Sequence, residues 1–145
     1  DLAVLRGAGM IFLDQVPGMH RLRTVSSVGD VFPLTTTANG RAALSLMADG
    51  RLLKLARAEW HRSGADVDEI AFMATIASIR ECGLAYDLDE HTNGISAIGI
   101  AFSDWNSEIH SISVPIPSSR YAASHQRVEE ALLKARIHLQ KTLSR

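Results

Sequence analysis

Ile95-Ser96-Ala97-Ile98-Gly99-Ile100-Ala101-Phe102-Ser103, then Asp104-Trp105-Asn106-Ser107, then Ile109-His110-Ser111-Ile112-Ser113-Val114-Pro115 read as two strands joined by a polar link. Successive side chains on a strand point to opposite faces. One face of 95–101 therefore presents Ile95, Ala97, Gly99 and Ala101, and the other Ser96, Ile98, Ile100 and Phe102. In 109–115 one face presents Ile109, Ser111, Ser113 and Pro115, and the other His110, Ile112 and Val114. Each strand thus offers a bulky apolar face, suited to a core beneath a helix, and a face of mostly small residues. Undersized side chains leave volume, which a ligand cavity requires; they also let a helix approach closely. Both readings stand at this point.

Outward from this hairpin, residues 84–88 read as one more strand and residues 124–143 as a helix with Val128, Leu132, Ala135, Leu139 and Leu143 on its apolar stripe. Upstream lie three helical patterns. Ala38 to Ala48 follows threonines that offer an N-cap hydroxyl, and a second helix covers about 51–61, closed by Ser63-Gly64. A third is opened by Asp66 and Glu69, spaced as a capping box; it carries Phe72, Ile76 and Ile79 and ends at Gly83, where a left-handed cap belongs. At the start, 2–6 and 10–16 read as a hairpin around Gly7-Ala8-Gly9, and 21–28 as a third, alternating strand with Leu22, Thr24, Ser26 and Val28 on one face. Arg21 and Arg23 fall on the other face. Three strands, three helices, three strands and a long helix describe an α+β domain whose sheet carries helices on both faces.

Composition bounds the function. The chain has 145 residues, 46% hydrophobic and 21% charged, which suits one domain over 1–145 with an ordinary core. Fifteen Lys and Arg against sixteen Asp and Glu leave a formal charge of −1, so this polypeptide alone lacks the basic excess of a phosphate-gripping DNA binder. Its one cysteine, Cys82, excludes an internal disulfide and a zinc site of paired thiolates, and reads as a small buried residue. No apolar run approaches the roughly 20 residues that span a bilayer, and no signal-peptide pattern is present, so a cytoplasmic, reducing setting without membrane contact is expected. A start at Asp1, on a strand and without Met, reads as a fragment of a longer protein.

Catalytic signatures fail on spacing. Gly94-Ile95-Ser96-Ala97-Ile98-Gly99 misses the nucleophile elbow by one residue, and no P-loop or dinucleotide fingerprint is present. His20, His61, His91, His110, His125 and His138 are scattered singly, with no helical pair to hold a metal. No cofactor, metal or enzymatic activity is expected; the enzyme alternative would use His91 with Asp87 or Glu90 and lacks a nucleophile.

Two stretches carry a likeness. Gly29, Pro33, Leu34, Ala38, Gly40 and Ala42 follow the spacing G-x-x-x-P-L-H-x-x-A-x-G-K-A, and Gly83, Asp87, Glu90 and Gly94 follow G-Y-x-x-D-x-x-E and its trailing glycine. Together they resemble the effector-binding domain of IclR-type bacterial transcription regulators, and the likeness covers essentially the whole chain. Leu-Asp-Gln-Val at 13–16 fits the family's second strand, and Pro117 with Ser119-Arg120 the approach to its last helix. Thr35 stands where histidine is usual, Arg41 where lysine is, and Asn39 where a small or apolar residue is.

The resemblance implies a GAF-like (profilin-like) fold: a six-stranded antiparallel sheet with a ligand pocket between sheet and helices. It implies a homo-dimer or tetramer, with operator DNA contacted only through a winged helix-turn-helix preceding Asp1 and absent from this chain. The family's effector-binding positions fall on Thr24, Phe32, Ala38, Asn39, Asp87, Ala97 and Ser113. Phe32 would supply an apolar wall, Ala97 depth, and Thr24, Asn39 and Ser113 donors and acceptors. The amides opening the 38–48 helix suit an anionic group, so a small organic or aromatic acid is the expected effector. Asp87 either accepts from the ligand or caps a turn. Trp105, on a hairpin tip, would pack at a subunit interface. The function implied is small-molecule sensing that controls DNA binding allosterically; the alternative is a GAF- or PAS-like sensor with another output.

Overall fold

A computed structural model of the chain describes residues 1–17 and 27–143. Their elements run β1 (Leu2–Arg6), β2 (Gly9–Asp14), β3 (Val31–Phe32), α1 (Ala38–Ser45), α2 (Asp49–Ser63), α3 (Glu69–Cys82), β4 (Ala85–Thr92), β5 (Ile95–Ser103), β6 (Ile109–Pro117) and α4 (Ser118–Leu143). The strands make one six-stranded sheet in the order β3-β2-β1-β6-β5-β4, antiparallel at every step. The first strand thus sits in the middle, joining the N-terminal hairpin to the β5–β6 hairpin. Arg6 pairs with Gly9, so the first link is Gly7-Ala8, one residue shorter than the sequence suggests.

The alternation in β5 sorts its residues onto the two sheet faces. Ile98 and Ile100 join Leu84, Ile116 and Leu132 in a core beneath α4, packed by Val128, Ala135 and Leu139 of its apolar stripe. On the opposite face Ala3, Leu5, Met10, Ala85, Ala101 and Ile109 pack with Leu44, Leu52, Phe72 and Ile76 from the three earlier helices. Removing each large aliphatic or aromatic side chain from water contributes about 1.5–3 kcal/mol. Helices on both faces follow directly from a sheet that is apolar on both.

Local chemistry sets the helix ends. Thr37 caps α1, its hydroxyl accepting from Gly40 N at 3.0 Å. Gly83, at φ +80°, closes α3 with its amide on Ile79 O. The cap of α3 is Asp68, accepting from Ala71 N at 3.1 Å, rather than Asp66. The helix begins at Glu69, so only position 68 reaches the third helical amide; Glu69 instead accepts from Arg57 Nε at 2.9 Å. α4 starts at Ser118, six residues before the expected 124, because its first turn is tied down: Ser118 N donates to Gly94 O at 2.8 Å and its hydroxyl to Asp89 at 2.7 Å.

Cys82 is exposed at the end of α3, not buried as its residue type suggested, since the apolar stripe of that helix turns inward at Ile79. The strand expected over 21–28 lies outside the described residues except for Ser27 and Val28, and Val28 sits in an exposed turn. No helix among the described residues is long and apolar enough to cross a membrane.

Candidate functional site

Antiparallel register brings distant positions together on the face that carries α1. Asp87 of β4 lies opposite Ala97 of β5, which lies opposite Pro115 of β6, and Gly99 lies opposite Ser113. A Cβ on Gly99 would stand 3.3 Å from the carbonyl carbon and oxygen of Ala38, so the first turn of α1 rests directly on this strand. The small-residue face therefore does both things open to it. Gly99 and Ala101 admit the helix, while beyond its end Ala97 floors a cavity of about 250 Å³.

Phe32, Ala38, Asn39, Asp87, Ala97 and Ser113 all line this cavity, joined by Thr37, His91, Ile95 and Pro115. Thr24 lies outside the described residues. Ile95 and Pro115 were legible from the strand alternation, which puts them on the faces of Ala97 and Ser113; nothing in the sequence pointed to His91 as a wall. A larger hollow of about 590 Å³ lies against the start of α4, lined by Leu2, Ile112, Val114, Ile116 and Val128 among others. Buried polar side chains distinguish the smaller one: Thr37, Asn39 and Asp87 line it and not the larger hollow, and with Ser113, which borders both, each is at most 6% exposed. Few precisely placed polar groups in an otherwise apolar hollow are what a small-molecule site needs.

The hydrogen bonds show how each group is held. Thr37 Oγ1 lies 2.6 Å from Pro33 O and 2.7 Å from Asn39 Oδ1, and its single proton serves one of them at a time. Ser113 exchanges backbone hydrogen bonds with Asp1, while its hydroxyl has no hydrogen-bond partner among the described residues. Asp87 Oδ1 accepts from Glu90 N at 2.8 Å and His91 N at 3.3 Å, whereas Oδ2 has no partner among the described residues. One oxygen ties down the turn and the other remains for the cavity.

Behind this wall Arg41 is buried and fully engaged. Its Nε donates to Thr35 O at 2.8 Å, its Nη1 to Tyr86 O at 2.7 Å and Glu90 at 3.0 Å, and its Nη2 to the other Glu90 oxygen. Two positions of the sequence signatures, 41 and 90, are thus a bidentate ion pair that clamps the end of β4 onto α1. The Arg41 hydrogen bond holds the Glu90 carboxyl below its ordinary range against the opposing effect of burial. Glu59 of α2 secures the turn before α1, accepting from Leu34 N at 2.6 Å, Thr35 N at 2.9 Å and the Thr35 hydroxyl. On the other sheet face Tyr86 donates to Glu129 of α4 at 3.0 Å, and burial, then that bond, pushes its phenol pKa up.

Catalytic and metal chemistry find little support in this arrangement. The His91 ring meets Thr92 Oγ1 at 3.0 Å, and neither Asp87 nor Glu90 hydrogen-bonds to it. Asp104, Glu108 and His110 on the β5–β6 hairpin bring donor atoms within 4.8 Å. Each already has a protein partner: Asp104 Oδ2 pairs with His110 Nε2 at 3.0 Å, and Glu108 with Arg6 at 3.1 Å. The His110 bond keeps the Asp104 carboxyl below the usual range, so the cluster reads as a hairpin staple.

Comparison with known proteins agrees with this architecture. Residues 1–139 match the family described as "Bacterial transcriptional regulator IclR C-terminal". The chain is 35% identical over 135 residues to the HTH-type transcriptional regulator Rv1719 of Mycobacterium tuberculosis, covering 92% of this chain and 52% of that protein. It is 26% identical to the HTH-type transcriptional regulator TtgV of Pseudomonas putida, covering 99% and 56%. The chain thus spans about half the length of these relatives. Among solved structures, the effector domain of the IclR regulator of Acinetobacter sp. ADP1 superposes with a TM-score of 0.81 at 21% identity, covering 97% of this chain and 84% of that one. The Thermotoga maritima IclR superposes at 0.84 and 18% identity, covering 98% and 60%. With its GAF-like α+β sheet and the matched residues 1–139, the chain belongs to the IclR C-terminal family of bacterial transcriptional regulators.

Proposed function

We propose that this domain senses a small molecule in the cavity beside α1 and that occupancy controls DNA binding by a winged helix-turn-helix elsewhere in the same regulator. The observation that carries the reading is the convergence of Phe32, Ala38, Asn39, Asp87, Ala97 and Ser113 on one hollow, with Asn39, Asp87 and Ser113 buried. Its walls come from α1, β4, β5 and β6, so a ligand that prefers one arrangement of these elements biases the whole domain. Driving such an equilibrium from 1:99 to 99:1 takes about 10⁴-fold differential affinity, roughly 5.5 kcal/mol, which favours a deeply enclosed ligand with several polar contacts. Thr24 completes the ligand contacts in this reading.

The near-neutral charge suits a sensor that leaves phosphate contact to another domain, and the regulator names of the relatives speak against an enzyme. The domain acts in the cytoplasm, where operator DNA lies, within a homo-dimer or tetramer. Trp105, 56% exposed on the β5–β6 hairpin, is the residue we assign to a subunit contact. Thermal-shift screening of small organic molecules against the purified chain, followed by operator-binding assays on the whole regulator, tests the sensor reading. Asn39→Leu with Ser113→Leu should abolish both the shift and the response; retained regulation would overturn the site. Size-exclusion chromatography of Trp105→Ala should show dissociation, and unchanged elution removes the contact.

A further inference from the structure

Between Leu88, which lies opposite Ser96, and Thr92, which lies opposite Ile95, β4 carries three extra residues, Asp89-Glu90-His91, that match no position on β5. A bulge of this kind re-aims side chains and is common beside functional sites. Here the three residues point three ways. Glu90 reaches α1 through its ion pair with Arg41. His91 lines the cavity, its ring nearly perpendicular to Phe32 with centroids 6.1 Å apart. Asp89 turns toward α4, and its Oδ1 accepts from the Ser118 hydroxyl at 2.7 Å and from Gly94 N at 2.7 Å.

The bulge is gripped from both sides. Asp89 stands at φ +61°, a left-handed conformation that aspartate and asparagine tolerate better than other side chains. On the cavity side Asp87, opposite the floor residue Ala97, accepts from the amides of Glu90 and His91 through Oδ1. On the α4 side Ser118 donates its amide to Gly94 O at 2.8 Å, and its hydroxyl lies 3.1 Å from Ser96 Oγ. The Ser118 proton goes to the carboxylate, the stronger acceptor, so Ser96 donates in turn to Ser118. Hydrogen bonds thus run from a cavity-lining carboxylate, through the bulge, to the first turn of the helix that packs on the opposite face of the sheet.

We infer that the 89–91 bulge couples the cavity to α4, with Asp89 as the positioning residue that carries a displacement of Asp87 or His91 to Ser118. A ligand that moves either wall residue alters how firmly the start of α4 is held, and by reciprocity whatever binds the start of α4 alters the cavity. Use of the link by a ligand rests on the sensor reading; the link itself does not need one.

A side chain can therefore stand in for the ligand. Ala97→Leu fills part of the cavity opposite Asp87, and amide exchange of Ser118, followed by NMR on the purified chain, reads the first turn of α4. The substitution should change the Ser118 exchange rate about fivefold or more, the low end of ordinary coupling between sites. In Asp89→Gly, which keeps the left-handed backbone and removes the acceptor, the same substitution should leave the rate within about twofold, as independent sites do. Asp89→Asn keeps both features and should restore the response, which a general loss of stability would not do. Should Asp89→Gly fail to fold, Ser118→Ala cuts the same bond and keeps the amide that is read; should Ala97→Leu fail, Ala97→Val is the smaller filler. A response that persists in Asp89→Gly or Ser118→Ala runs along β6 through Pro115 and overturns the inference. So does a filled cavity that leaves Ser118 unmoved with Asp89 intact, or an asparagine that does not rescue. A ligand screen that finds nothing counts against the cavity as a sensor and leaves this result standing, so the two failures are distinguishable.

Discussion

Replacing Gly40 by alanine should destabilise the domain although alanine is the better helix former. A Cβ at this position would stand 2.5 Å from Leu34 Cα, 2.5 Å from Leu34 O and 2.6 Å from Pro33 O. All of these are backbone atoms, in a turn that Glu59 holds through the amides of Leu34 and Thr35. No rotamer change relieves the overlap, so α1 or the turn must move. Overpacking ordinarily costs about 1–3 kcal/mol, and rigid neighbours place this site at the upper end. Helix propensity returns at most about 1 kcal/mol, leaving a net loss of about 2 kcal/mol, or roughly 4–8 °C in melting temperature. Gly50→Ala is the control: in the first turn of α2, nothing lies within 4 Å of its added methyl, so it should be neutral or stabilising. Thermal melts and urea midpoints on both variants decide the matter. A Gly40→Ala protein melting at or above the wild type would refute the claim that α1 and the 33–34 turn are locked at this distance. Because Ala38 and Asn39 ride on the same helix, a displaced α1 should also weaken any ligand of the cavity.

Other outcomes follow from the same contacts. Glu90→Gln removes the carboxylate facing the buried Arg41 and should cost about 1 kcal/mol, discounted because Glu90 is half exposed. Its depressed carboxyl contributes stability above the ordinary glutamate range that is lost as pH falls through the folded value, so this variant should show a flatter acid limb in its pH–stability curve. Tyr86, whose phenol is pushed up, makes the opposite contribution. The unfolded phenol ionises near pH ~10 while the folded one stays neutral, so stability falls above that pH, and Tyr86→Phe should soften the alkaline loss in melts. Ser111 is fully buried and its hydroxyl has no partner among the described residues, so Ser111→Ala should raise stability by about 1 kcal/mol in urea titration, and a loss would refute the assignment. Cys82, exposed, should react with a thiol reagent in the native protein without prior unfolding, though more slowly than in the unfolded chain because its sulfur is held by the Leu84 backbone at 3.4 Å.

Periodicity by itself placed β1, β2, β4, β5, β6 and the helical blocks, because strand alternation and helical stripes are local consequences of backbone geometry; the third strand, Val31–Phe32, lies outside the run expected over 21–28, most of which is outside the described residues. Ile98 and Ile100 could face only one way, and Phe72, Ile76 and Ile79 only one core. Boundaries were less legible. Spacing to Glu69 marks Asp66 as the cap, and only the actual first helical residue shifts that role to Asp68. The start of α4 depended on Asp89 and Gly94, far away in sequence, reaching Ser118. The deepest ambiguity was the row of small residues on β5. Composition could not say whether Ala97, Gly99 and Ala101 make room for a helix or for a ligand. The docking of α1 on Gly99 answered it, leaving open space only past the helix end. The Arg41–Glu90 clamp and the Asp87 oxygen without a partner among the described residues likewise exist only once β4 is laid against α1. Ion pairs and cavities are properties of distances between residues remote in sequence, and those distances are set by packing.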